Sequence, residues 1–301
     1  MPSPELERST LRPVDPAALA HIGRRLHRAA EAPWLHGEVA RRMADRLAVI
    51  RLQPRQVIDW GAFLGASREH LVRVYPQARL LAVEANDRRS AATAARLKAP
   101  WWRAWQGPAA VSSADQVAPG SAQLLWSNMG LHGESDPQAT MAVWHRALQV
   151  DGFLMFSTLG PGTLMQLVRL YAARDWQAPM APLVDMHDLG DMLVQAGFAD
   201  PVMDQETVTL TWAEPQALVS ELRGLGGNAD LRRPWGLRTP RWRQRLMDGL
   251  AALAGTDGRI ALDFEVVYGH AFKPVPRPRL AARTELPLED MRAMIRRGGR
   301  D

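Results

Sequence analysis

The chain has 301 residues, a formal net charge of +5 and no cysteine. That length suits one large domain, and the missing cysteines exclude a disulfide framework, a thiolate nucleophile and a Cys-ligated metal. No apolar run is long enough to span a bilayer, and the opening MPSPELERSTLRP lacks the apolar core of a signal peptide, so a cytoplasmic, membrane-free protein is expected. Lys98 and Lys273 are the only lysines, so the positive charge is almost all arginine. No basic run is interleaved with aromatics as nucleic-acid binding would require; base composition or an acidic partner accounts for the charge.

Residues 1–17 are rich in Pro, Ser and charge and read as a flexible arm. From Ala18 to Ile50 the pattern is helical, with Leu19, Ile22 and Leu26 on one face and then Val39, Met43, Leu47 and Ile50 on another. Strand and helix then alternate. Val57–Asp59 is the first predicted strand and Gly65–Tyr75 the helix after it. Leu80–Glu84 is the second strand, followed by a helix running to Lys98. Gln123–Ser127 and Gly152–Ser157 are further strands, with the helix Gln138–Gln149 between them. Short apolar runs separated by amphipathic helices predict an α/β fold with a mostly parallel sheet covered on both faces. Met186–Phe198 reads as a helix, and Pro201–Trp212 and Ile260–Phe272 as late strands. Helical insertions are expected at about 160–185 and 213–258, placed to form a lid over the carboxyl edge of the sheet. The domain is expected to span 18–274, with a basic tail over 275–301 that holds the helix-like LEDMRAMIRR.

Two segments carry the functional signal. VIDWGAFLG, Val57 to Gly65, is a strand, an acid and glycines at a turn into a helix. LLAVEAN, Leu80 to Asn86, is a buried strand ending on Glu84. Glycine lets the backbone approach a nucleotide-like ligand, and a strand-end acid accepts hydrogen bonds from ribose hydroxyls. Asn128 and His132 follow a strand at the same edge. Tyr268 and His270 alternate on the last strand and are expected to share a face. Arg223 and Arg232–Arg233 sit in the second insertion, where an acidic carrier or a substrate carboxylate is a candidate partner. No nucleophile elbow, Walker loop or H-E-x-x-H metal signature occurs.

Together EVARRMADRLAVI, VIDWGAFLG, YPQARLLAVEAN, LLWSNMGLH, DMHDLGDMLVQAGFADPVMDQETVTLTW and EVVYGHAFKP resemble, in order, the class I S-adenosylmethionine-dependent methyltransferases. Within that class they resemble the BioC-type malonyl-[acyl-carrier-protein] O-methyltransferases of biotin synthesis. The resemblance covers roughly 24–274. It implies a Rossmann-like seven-stranded sheet with the last strand antiparallel. It implies S-adenosyl-L-methionine as cofactor, held by Asp59, Gly61, Gly65, Glu84 and Asn128, and malonyl-acyl carrier protein as substrate. His132, Arg223, Tyr268 and His270 become substrate-side candidates. No general base is expected, because a carboxylate acceptor is already nucleophilic. The chain departs from the family pattern at Phe63, where the middle glycine of D-x-G-x-G-x-G stands, at WQGPAAV (105–111), which lacks the adenine-side acid, and at Gln123, which replaces an Asp. The expectation drawn from Phe63 is a ring filling the cofactor pocket. A second reading follows, that of an inactive methyltransferase fold working as a binding or assembly module.

Overall fold

The structure, a computed structural model, describes residues 12–97 and 110–276. Seven strands form one sheet: β1 (Gln56–Trp60), β2 (Arg79–Glu84), β3 (Ala110–Ser113), β4 (Ala122–Ser127), β5 (Leu148–Leu159), β6 (Ala199–Trp212) and β7 (Ile260–Phe272). Their order is β3-β2-β1-β4-β5-β7-β6, and β7 alone runs antiparallel to its neighbours. The order reverses direction between β1 and β4. That is the switch point where ligands of open α/β sheets bind.

Alternating side chains on the central strands build two cores. Val57, Leu124 and Phe153 face α2 (Trp34–Arg46) and contribute to one cluster. Ile58, Leu125 and Leu154 contribute to the other, with Trp144 of α6 (Pro137–Ala147) and Leu189 of α8 (Met186–Gln195). Because both sheet faces are covered, the strands read as unbroken apolar runs, which is why VID, LLWS and FLMFS are recognisable in the sequence.

The predicted elements recur within a few residues of their expected bounds, with three differences. β3 was not predicted: its four residues AVSS have no apolar run, and only the short contact with β2 makes them a strand. The expected helix from Gly65 is two pieces, a single turn α3 (Ala62–Gly65) and α4 (Arg68–Val74), broken at Ala66, whose φ is 52°. The expected flexible arm does not extend to residue 17. Asp15 caps α1 (Pro16–Leu26) by accepting from the Ala17 and Ala18 N–H groups, Arg233 pairs with Asp15 at 2.6 Å, and Val14 bridges to Asp230. The tail helix expected at LEDMRAMIRR lies outside the described residues, as does most of WQGPAAV. The insertions contain α7 (Met165–Ala172), α9 (Pro215–Leu225) and α10 (Pro240–Ala251). Among the described residues no helix is long and apolar enough to cross a membrane.

Candidate functional site

β1 ends at Trp60, and its register with β2 pairs Trp60 with Val83. Glu84 therefore lies one residue further along, level with the turn that leaves β1. The Gly61 N–H closes that turn on the Val83 carbonyl at 2.8 Å. Gly61 has φ +70°, which glycine reaches without the penalty a side chain brings. Its chain neighbours apart, no atom of the described residues lies within 4 Å of where a Cβ would sit there, and Gly61 opens onto a cavity.

Glu84 is buried and held by three donors of the chain. The Phe63 N–H and the Thr93 hydroxyl each donate to Oε1 at 2.9 Å, and the His27 Nε2 stands 3.4 Å from Oε2. Thr93 comes from α5 (Asp87–Arg96), and His27 from the end of α1. Burial pushes the Glu84 carboxyl up, but bonds from His27, Phe63 and Thr93 more than offset it and hold its pKa below the usual value. Asp59, beneath the loop, is buried with Oδ1 unpartnered. Burial, reinforced by the Glu84 charge and opposed by Arg68, pushes its carboxyl up to about 7.

The cavity encloses about 420 Å³. Its floor is the carboxyl edge of the sheet, with Gly61, Glu84 and Ser127. The insertions roof it with Leu164, Leu167, Leu218, Leu222, Leu246 and Leu250. The apolar face of α1, through Leu19, Ile22 and Leu26, closes another side. Gly23 lets α1 approach Arg89; a Cβ there would collide with the guanidinium. His36 and His132 stand edge to face, with ring centroids 6.5 Å apart, on the same cavity wall. Burial pushes them down to about 4 and about 3, so both rings are neutral near pH 7.

The sequence-predicted residues divide cleanly. Gly61, Glu84, His132 and Arg223 line the cavity. Asp59, Gly65 and Asn128 lie behind its wall: Asn128 Nδ2 donates to the His36 and Gly65 carbonyls at 2.8 and 2.6 Å, and its Oδ1 accepts from the Ser157 hydroxyl at 2.6 Å. Two expectations are corrected. Tyr268 and His270 do share a face, the one Phe264 presents to the cavity, but neither of them lines it. Tyr268 donates to Glu206 beneath the Arg46 guanidinium, and His270 packs against Phe153 and Phe272. Tyr268 is level with Ser157 at the ligand side of the sheet, but Arg46 of α2 and Glu206 of β6 enclose it there. Phe63 does not fill the pocket either. Its ring lies outside the cavity, 5.5 Å from the His27 ring and under the Arg96 guanidinium at 3.6 Å.

That placement yields a prediction. Phe63→Gly is expected to leave cofactor affinity within about threefold of wild type, since the Glu84 bond uses the backbone N–H, and to lower stability by ~1 kcal/mol through lost aromatic contact and added chain freedom. Calorimetric titration beside urea unfolding checks it. A gain in affinity of about tenfold would restore the occlusion idea.

Gln123 fastens the start of β1: its Oε1 accepts from the Arg55 and Gln56 N–H groups at 2.9 Å each. Asp115 is exposed in the turn after β3 and does not line the cavity. The residues that sequence reasoning missed are in the roof. Arg12, assigned to the arm, lines the cavity and donates to the carbonyls of His132, Glu134 and Pro182. The signal for α1 was its apolar stripe with a glycine inside it, which reads equally well as ordinary packing. Among the described residues no cluster of His, Asp and Glu has metal-binding geometry.

A parallel sheet reversing at β1/β4, a glycine turn, a strand-end acid and a single antiparallel strand beside the edge define a Rossmann-like class I methyltransferase fold. The YcgJ protein of Bacillus subtilis shares this fold: TM-score 0.52 at 12% identity, covering 78% of this chain and 99% of that one. No family model matches the chain. Individual relatives do. A malonyl-[acyl-carrier protein] O-methyltransferase of Laribacter hongkongensis is 39% identical over 258 residues, 82% of this chain and 86% of its own. That of Gallionella capsiferriformans is 36% identical over 250 residues, 81% and 85% of the two chains. That of Halorhodospira halophila is 35% identical over 269 residues, 89% and 90%. The chain belongs to the malonyl-[acyl-carrier protein] O-methyltransferase family.

Proposed function

We propose that the protein transfers a methyl group from S-adenosyl-L-methionine to the free carboxylate of a malonyl thioester carried by acyl carrier protein. The observation that carries this is one cavity joining the Gly61–Glu84 turn to an apolar chamber with an arginine at its rim, in a chain of this family.

The residues present fit the cofactor. Gly61 leaves the space of a side chain open to a ligand, and Glu84 keeps Oε2, approached among the described residues only by His27 at 3.4 Å, for a ribose hydroxyl. The cavity is of the size that cofactor sites require. S-adenosylmethionine, when bound, supplies an electrophilic methyl group.

The chain's part is alignment and exclusion of water. A malonyl carboxylate is ionised and nucleophilic at neutral pH, so no residue has to remove a proton. Leu164, Leu167, Leu218 and Leu222 keep water from the acceptor oxygen. His132, neutral at pH 7, offers one ring N–H without protonating the acceptor, whereas the His36 Nδ1–H is already given to the Leu64 carbonyl. Arg223, at the cavity rim, is assigned to the carboxylate, where a guanidinium orients two oxygens at once. Asp59, Gly65 and Asn128 support the turn from behind and are assigned no direct contact with substrate.

Calorimetric titration with S-adenosylmethionine and its demethylated product, followed by methyl transfer to malonyl-acyl carrier protein, tests the proposal. Micromolar binding and transfer are expected. No binding up to millimolar cofactor would overturn it in favour of an inactive binding module.

A further inference from the structure

A surface beside the cavity mouth has a composition that, Arg223 apart, the catalytic site does not use. Between residues 223 and 245 the chain has seven arginines and one acid, Asp230, more than twice its average arginine density. Arg232 and Arg233 pair with Asp230 and Asp15. Arg223, Arg238, Arg241, Arg243 and Arg245 are exposed and make no ion pair among the described residues. Among these charges stand three exposed apolar side chains: Trp235 at 84%, Leu237 fully exposed and Leu231 at 54%. Arg233 lies over the Trp235 ring at 5.2 Å, which holds the indole at the surface. The same segment forms part of the cavity wall through Arg223, Gly226, Gly227 and Asn228.

Exposed arginines alone would read as a solubility surface. Large exposed apolar side chains in an arginine-rich segment read differently: Trp and Arg are the residues that dominate binding energy at interfaces, with charges at the rim steering the partner. We propose that residues 223–245 are the docking surface for the acyl carrier protein, with Trp235 and Leu237 as apolar anchors and Arg238, Arg241 and Arg243 meeting its acidic face. This rests on the proposed function only for the identity of the partner. The partner's chemistry is set by the surface: an acidic protein with an apolar patch, whose tethered thioester must enter a cavity that this segment borders. An acid-rich carrier protein meets each condition.

Labelled apo acyl carrier protein is titrated against the full chain, the Arg241→Glu/Arg243→Glu double variant and Trp235→Ala, with fluorescence anisotropy as readout. Initial rates are measured in parallel with malonyl-acyl carrier protein and with malonyl-coenzyme A, a thioester lacking the carrier. All three positions are exposed and outside the cavity, so the variants fold; thermal unfolding verifies this. We expect wild-type affinity to fall with salt and each variant to weaken carrier binding about tenfold or more. KM for the carrier form rises accordingly, while kcat and turnover of the carrier-free thioester stay unchanged. Variants that bind the carrier like wild type overturn the surface assignment and leave the methyltransferase reading intact. If neither thioester is methylated, that reading fails, and the anisotropy still decides the surface. Tighter binding of a short DNA duplex than of the carrier overturns the choice of partner.

Discussion

Glu84→Ala is expected to lose cofactor binding and to destabilise the protein by ~3 kcal/mol. Two costs combine. The substitution strands the Phe63 N–H, the Thr93 hydroxyl and His27, which all converge on the carboxylate, and an unsatisfied buried donor costs ~1–3 kcal/mol. Relief of the repulsion that raises the Asp59 pKa offsets part of this. The offset is the smaller effect, because burial is the first cause of that rise and persists without Glu84. On the binding side, a lost hydrogen bond to a charged acceptor is worth ~1.5–3 kcal/mol, or roughly 10- to 150-fold in affinity. The distorted turn adds to that. Glu84→Gln, which keeps volume and one acceptor, is expected to recover much of the stability and little of the affinity. Urea unfolding with calorimetric titration separates the two. Unchanged affinity in Glu84→Ala would remove the residue from the site.

Gly61→Val is expected to divide the same quantities the other way. The left-handed backbone costs a β-branched residue at least ~1–2 kcal/mol. The Cβ itself meets no described residue beyond its chain neighbours within 4 Å. The side chain instead occupies the cavity, so cofactor affinity is expected to fall by more than about 100-fold, ~3 kcal/mol, while the domain remains folded. Binding that survives the substitution would mean that the ligand does not approach this turn. Set beside the near-neutral Phe63→Gly, the pair asks which glycine of the motif the ligand needs. The opening at Gly61 leads us to expect that need at the first position and not at the middle one.

The fold was legible for a physical reason. Strands buried on both faces carry short apolar runs, and β1, β2, β4 and β5 announce themselves so, with polar residues such as Asp59, Glu84 and Ser127 toward their carboxyl ends. The pairing of Gly61 with Glu84 was legible because both lie at strand ends, where chain direction alone brings them together. Other features depend on contacts between distant segments. Phe63 was read as an obstruction because sequence gives the residue type but not the side-chain direction, and the ring's position is set by His27 and Arg96 from two other helices. The spacing of Tyr268 and His270 gives their common face, yet it does not say that Arg46 of α2 and Glu206 of β6 cover Tyr268 there. Arg12 was hidden in a segment whose proline and charge content resembles a loose arm. The Asp15 cap and the bridge of Val14 to Asp230 hold it in place.

Asn128 has a consequence beyond its place behind the wall. One side chain ties the carbonyls of His36 on α2 and Gly65 in the turn to Ser157 on β5, so three chain segments share a single buried clamp. The turn at Gly61–Gly65 and the wall that bears His36 are therefore expected to move as one body. Their ordering is completed when the chain folds, and a ligand arriving there does not have to supply it. Affinity at such a site is set by the contacts made, with little lost to conformational entropy.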